Sequence, residues 1–525
     1  MNIQLQKNLL RLKRSLLGGL AFASAAGLQA SDWPQYRGPN HDGVASESIR
    51  TNWSETPPRQ VWKVTLDPGL SSFAIGGGKA FTQVRRRLSG QEREFCVTLD
   101  AETGKELWAV PLDIADYPNG GVGFDDGPRS TPSIDGDRVF VLTSYLQLAC
   151  LDSANGQAVW KKDLISEYGG FAIAWQNAAS PLIVGDLVLV NANGRQNDKL
   201  LAFRKQDGTL VWRGQNGQND GMTQASPVAA TIGGVRQAIF FAQSGLVSVA
   251  PETGAVLWRY ALRYNGTSVA ASPVVAGDMV FSSRAYPGAL SAAQAGAVVV
   301  KITPSGNSFS AGLVWSKVNQ LMNHWCTPVH YNGYIYGMFG QDVLTFKCVE
   351  LATGDEKWSV SGYGYGSVLV VDGKILAFSD RGDLVLIDPN PAAYTEIARL
   401  RAVDGKCWNV PAISNGRIYA RSTTEAVSLD VAVPVPIARP RLKLEPSLAS
   451  GNRLFSLSIG SEDGSPLDAS RVPKIDVWAT SDLSLGPAGW LKLNLSPVLN
   501  NGRLLLDDPE SPTRPQRFFR VEERP

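Results

Sequence analysis

Two short patterns alternate along the middle of the chain, each marking where an apolar run begins or ends. In the first, a polar turn closes on a glycine and a tryptophan follows four residues later: Gly104 and Trp108, Gly156 and Trp160, Gly208 and Trp212, Gly254 and Trp258, Gly354 and Trp358. Gly306 and Trp315 form a stretched copy. In the second, Ser or Thr followed by Pro opens a β-branched run that soon turns, as at Thr131-Pro132, Ser180-Pro181, Ser226-Pro227, Ser272-Pro273 and Thr327-Pro328, with Val410-Pro411 a degenerate member. The first five of those prolines fall 46 to 55 residues apart, and the gap of 83 to Pro411 is about two periods, with Ser367 and the run VLVVDGKILAF filling the missing one. A period of that size is the mark of a repeat architecture and is read before any single motif.

Each period holds two hairpins, so the unit is four antiparallel strands. Proline is tolerated in a sheet only at an edge or at the first residue of a strand, which suits an innermost strand facing a central channel. Four-stranded units repeated radially make a β-propeller. Inner strands are expected to start near 72, 131, 180, 226, 272, 327, 367 and 410, which makes eight blades. A count of seven follows if the weak unit at 367–400 is not a blade. The outer-strand anchors are Trp62, Trp108, Trp160, Trp212, Trp258, Trp315 and Trp358, with Leu400 a poor eighth. Because Trp62 precedes the first inner strand, its run is expected to complete the last blade and close the ring.

The eleven-residue pattern Ala-x-Asp-x-x-x-Gly-x-x-x-Trp resembles the tryptophan-docking motif of the pyrroloquinoline-quinone-like (PQQ-like) repeat proteins. These include quinoprotein dehydrogenases and the non-catalytic propeller lipoprotein of the outer-membrane β-barrel assembly machinery. The segment from Asp32 to Asn40, DWPQYRGPN, also resembles the mature start of many exported members. The resemblance covers about residues 31–432 and implies the fold. It implies no activity, since the docking motif joins blades and touches no cofactor.

The flanks differ from the repeat. Lys7, Arg11, Lys13 and Arg14 precede an apolar run from Ser15 to Gly27, and Leu28-Gln29-Ala30 reads as a signal-peptidase site, so residues 1–30 are expected to be removed on export. The remainder holds no run long enough to span a membrane. Residues 433–440 are Pro-rich and read as a linker, and residues 441–525 alternate in short runs that suit a small antiparallel β-sandwich. The fold class expected is therefore all-β: an eight-bladed propeller over 31–432, then the sandwich.

Composition narrows the function. Across 525 residues the formal charge is only +2, which gives no electrostatic case for nucleic acid. Three His and five separated Cys leave little for structural zinc, and the cysteines read as small buried apolar groups. In a propeller, the loops that enter the inner strands crowd around one mouth of the channel. Here they carry Phe124, Asp125, Asp126 and Arg129; Trp175 and Gln176; Asn219 and Asp220; Tyr264 and Asn265; Asn323, His324 and Trp325; Tyr363 and Tyr365; Trp408 and Asn409. Of these, Trp175, Asn323, His324, Trp325, Trp408 and Asn409 form the expected ligand or partner site. Aromatic faces beside amides suit a planar ring, a sugar or a peptide.

The reading that results is an exported, non-catalytic binding scaffold, periplasmic or extracellular and monomeric, whose partner is an envelope protein or a small-molecule or carbohydrate ligand. No catalytic residue, metal ligand or cofactor is assigned. The alternative is a dehydrogenase of sugars or alcohols that depends on PQQ and calcium. The resemblance to its alcohol-oxidising branch implies an adjacent Cys-Cys pair, whereas the nearest cysteines here are Cys326 and Cys348.

Overall fold

The structure is a computed structural model, and it describes residues 32–117, 126–214, 219–262, 269–285, 295–306, 308–433, 441–448, 455–494, 497–510, 513 and 516–524. The expected leader at 1–30 and linker at 433–440 fall outside these residues, apart from Val433. The chain divides into two compact units, Met1–Val433 and Pro434–Pro525.

Among the described residues the first unit holds eight antiparallel sheets. Blade 1 shows the scheme, with strands Ala74–Gly76, Lys79–Leu88, Gln91–Asp100 and Glu106–Ile114 in spatial order from one side to the other. The innermost strands of blades 2 to 8 are Ser133–Asp135, Leu182–Val184, Val228–Ile232, Val274–Ala276, Val329–Tyr331, Ser367–Val371 and Ala412–Ser414. Each begins at or just after an expected start. The unit at 367–400 is a full blade, with Thr395–Arg401 as its outer strand.

Closure comes from the N-terminal side. Strand Arg59–Thr65 pairs antiparallel with Glu425–Asp430 and becomes the outermost strand of blade 8. Arg421, 1% exposed, ties that blade to blade 1 by donating to the Thr82 hydroxyl and to the carbonyls of Gln83 and Asp67. Burial holds its guanidinium well below the ordinary range, at about 9.

The docking residues meet across blades. A Cβ on Gly104 would lie 2.7 Å from the Trp62 ring, one on Gly156 2.8 Å from Trp108, one on Gly208 2.8 Å from Trp160, and one on Gly254 2.5 Å from Trp212. Gly354 likewise receives Trp315. Each indole N–H then donates to a carbonyl of the same turn, as from Trp160 to Lys205 at 2.9 Å and from Trp212 to Pro251 at 2.7 Å. The Gly and Trp that lie four residues apart in sequence therefore serve opposite neighbours. A register shift just before the Trp bulges each outer strand, leaving Leu107, Val159, Val211 and Val314 outside while the ring turns in.

Three joints depart from the rule for local reasons. The blade 7 turn Asp388-Pro389-Asn390-Pro391-Ala392-Ala393 has no glycine, although Trp358 of blade 6 still donates to its Asn390 carbonyl at 2.9 Å. Blade 5 replaces the short Gly turn with the long hairpin Gly296–Ser305 and Ser308–Val318, so Trp258 donates to Gln237 of its own blade instead. Blade 8 takes its outer strand from the N-terminal side and so has no such turn. Blade 7 accordingly needs no docking Trp: the register after its bulge puts the small Ala398 opposite Leu386 at the docking position, and the expected anchor Leu400 lies two residues beyond it, opposite Leu384.

The second unit has a four-stranded sheet (Leu442–Leu448, Phe455–Ser461, Arg503–Asp508, Val498–Asn500) and a three-stranded one (Leu491–Lys492, Ile475–Thr480, Phe518–Glu523). Leu457, Ile459, Ile475, Val477, Leu504 and Leu506 fill the space between them. All five cysteines are buried and free.

Candidate functional site

The segment before the closing strand crosses the channel. Trp33 bridges Ile75 of blade 1, and Ile134 of blade 2 donates to the Pro34 carbonyl. Arg37, 1% exposed, donates to the carbonyls of Thr327 and Pro328 at the entry to blade 6. Val44–Ala45 then pairs parallel with the innermost strand of blade 7, and Ile49 bridges Ala432 beyond blade 8. Tyr36, its hydroxyl 3.3 Å from that of Thr327, is left as part of the lining of a cavity of about 270 Å³ at the channel mouth.

Every blade contributes to that cavity. Leu70 and Ser72 come from the loop into blade 1, Arg129 from that into blade 2, Trp175 and Ala178 from blade 3, and Gln224 and Ser226 from blade 4. Ala270, Trp325 with Cys326, Tyr365 with Ser367, and Trp408 with Asn409 continue through blades 5 to 8. Trp325 is the hub of an aromatic wall: its ring stacks on Tyr365 at 4.8 Å and 21°, and meets Trp408 at 4.7 Å and 42°. The Lys406 ammonium lies 4.9 Å from the Trp408 ring, a cation–π contact.

Trp175 comes from the blade 3 loop with an unusual backbone. It and Gln176 both hold positive φ, +66° and +53°, a conformation that costs a non-glycine residue about 1–3 kcal/mol and persists only where neighbours enforce it. Two do so here. Arg129 donates to the Trp175 carbonyl at 2.9 Å and Gln224 to the Ala174 carbonyl at 2.9 Å, one from each flanking blade. Arg129 also donates to the buried Asp126 carboxylate at 2.7 Å.

Four of the six expected site residues, Trp175, Trp325, Trp408 and Asn409, line the cavity. Asn323 and His324 stand behind the wall, both 0% exposed. The Asn323 amide donates to the carbonyls of Cys326 and Met338, which shapes the loop. The His324 ring lies edge-on to Trp325 and Tyr365 with Nε2 on the Gln341 carbonyl, and burial pushes its pKa down. Asp220 is paired with Arg259, and Tyr363 with Tyr394. Phe124, Asp125, Tyr264 and Asn265 lie outside the described residues. Sequence reasoning did not assign Tyr36, Gln224 or Ser367 to the site. Only the opening DWPQYRGPN segment, which holds Tyr36, carried a signal.

The lining tests the quinone alternative. Calcium takes six to eight oxygen ligands, largely carboxylates. Among the described residues the cavity lining offers no carboxylate, and no cluster of three or more His, Cys, Asp or Glu could hold a metal. Arg129, the one charged group of the lining among the described residues, is already engaged by Asp126. These residues do not fit a calcium-bound quinone.

Eight blades of four antiparallel strands, cross-blade Trp–Gly docking and N-terminal closure give this chain a β-propeller architecture similar to that of the PQQ-like repeat proteins. The family model described as outer membrane protein assembly factor BamB matches residues 95–322. Proteins of that name from Moranella endobia (strain PCIT) and Yersinia pestis are 24% and 22% identical, the matches spanning 53% and 62% of this chain and 66% and 86% of theirs. Among solved structures, BamB from Moraxella catarrhalis is 15% identical with a TM-score of 0.50, over 71% of this chain and 99% of its own. A quinohemoprotein alcohol dehydrogenase from Comamonas testosteroni is 10% identical with a TM-score of 0.53, over 80% and 83%. At these identities the solved structures speak for the fold alone.

Proposed function

We propose that this chain is an exported, non-catalytic propeller of the cell envelope that binds a ligand or partner loop at the channel mouth. The observation that carries this reading is that loops from all eight blades line one cavity, which no single blade could form. Support also comes from the relatives, whose names describe outer-membrane assembly and not catalysis. Among the described residues the lining has stacking surfaces and amides but no carboxylate to take a proton from a substrate. The leader at 1–30, the periplasmic or extracellular location, and the sandwich as an attachment module belong to the same proposal.

A photo-crosslinking residue placed at Tyr365 in cells tests it. A discrete crosslinked product is expected, and it should disappear in the double variant Trp325→Ala, Trp408→Ala. An unchanged product in that variant would remove the site. Dye reduction by the wild-type chain with PQQ, calcium and a sugar or alcohol, lost in the same variant, would replace this reading with the dehydrogenase.

A further inference from the structure

The channel-mouth cavity carries enough chemistry to select a ligand class. At about 270 Å³, with the N-terminal segment crossing the channel and Tyr36 in the lining, it suits one or two fused rings and not a polymer threaded through the channel. Its lining charge is a guanidinium already bonded to Asp126 and to the Trp175 carbonyl. Among the described lining residues an anion would meet a neutralised pair, and a cation would meet no carboxylate.

The polar atoms are specific as well. The Asn409 amide oxygen and nitrogen, the Trp325 indole N–H and the Ser367 hydroxyl have no hydrogen-bond partner among the described residues. They come from three consecutive blades, 6 to 8, beside the aromatic wall. Buried polar groups are rarely left unsatisfied, so a group with matching donor and acceptor is called for. A primary amide such as Asn409 is matched by another amide edge, which accepts from its N–H and donates to its carbonyl oxygen.

From charge, shape and unpartnered atoms together, and resting on the channel-mouth reading above, we infer that the cavity binds a neutral, flat heteroaromatic small molecule bearing a carboxamide-type edge. The ring stacks against the Trp325–Trp408 wall, its amide edge pairs with Asn409, and the pinned Trp175 supplies a further aromatic surface. The Asn409 atoms are shielded from water, so binding displaces the side chains that cover them, and a ring stacked on the wall changes the tryptophan fluorescence. Polycarboxylate quinones are disfavoured because the lining guanidinium of Arg129 is already paired with Asp126.

The test titrates the purified chain with indole-3-carboxamide, indole-3-carboxylate, methyl glucoside and PQQ, reading tryptophan fluorescence and melting temperature. The amide should bind saturably and raise the melting temperature, with the carboxylate about tenfold weaker because its charge is not compensated. Asn409→Ala and Trp408→Ala should each weaken the amide by about tenfold or more, and circular dichroism would confirm that each variant is folded. Tighter binding of the carboxylate, the glucoside or PQQ, lost in those variants, would overturn the ligand class while keeping the site. Amide binding unaffected in folded Trp408→Ala, or absent from the wild type, would overturn the inference. A short tryptophan-containing peptide amide that bound about tenfold tighter than the free ring would overturn the small-molecule assignment in favour of a partner loop.

Discussion

The rim and the mouth of this propeller are built by opposite rules. At the rim one contact recurs: an indole from one blade lies on a turn glycine of the next and donates to a carbonyl there, as Trp62 does to Ala101 at 2.9 Å and Trp315 to Leu351 at 2.7 Å. Every such joint solves the same problem, so the same residues return. At the mouth no two loops are alike, with Arg129, Trp175, Gln224, Trp325 and Asn409 each occurring once. The comparison shows where each kind of information lies: repetition reports the scaffold, and departures from repetition report the site.

Trp160→Ala should break the rim hardest. Its ring is 9% exposed and sits on Gly208, so its removal should cost about 3–5 kcal/mol in denaturant unfolding. Gly104→Val should cost a similar amount, because Trp62 occupies the space and φ there is +72°. An unchanged unfolding midpoint in either variant would remove the joint from the account of stability.

A polar joint sharpens the contrast. Glu94 is fully buried, with the Tyr117 hydroxyl at 2.7 Å and the Ser144 N–H at 3.0 Å, and burial pushes its carboxyl up to about 7. An unfolded glutamate titrates near 4.5, so between these values the folded chain holds a proton that the unfolded chain has lost. The stabilising share of the protonated group is complete below pH 4.5 and lost as pH rises to 7, by about 3 kcal/mol. Unfolding measured across that window should show the decline in the wild type and a flatter profile in Glu94→Gln. Parallel profiles would place the carboxyl in an ordinary environment.

The mouth should be nearly silent by the same measure. Trp175→Ala should change stability by less than about 1 kcal/mol, since the ring is only half-buried, while any ligand-induced fluorescence change falls. The smallest effect belongs to Leu400→Trp, within about 0.5 kcal/mol, because position 400 lies two residues beyond the docking register held by Ala398 and blade 8 offers no glycine turn to receive an indole. A large gain in melting temperature there would show that this joint can accept a docking residue after all.

The sequence by itself determined the repeat and the strand that closes the ring, and left the blade count at eight or seven until the structure showed 367–401 to be a full blade. Each blade meets its neighbours in nearly the same way, so Gly and Trp must recur in register, and Trp62 stands out by preceding the first inner strand. It also marked the loops that reach the mouth, and placed Trp175, Trp325, Trp408 and Asn409 among them. The tertiary structure decided the pairings. Each glycine receives the previous blade's indole and not the one four residues on, because a Cβ-free turn and a large ring are complementary only across a joint. It also decided which loop residues face the cavity: Asn323 turns back to carbonyls of its own blade, and His324 stacks behind the wall. Tyr36 reaches the lining beside Thr327, 291 positions away in the chain, because the N-terminal segment returns across the channel. Periodicity cannot report such contacts, since they arise from closing the ring and occur once.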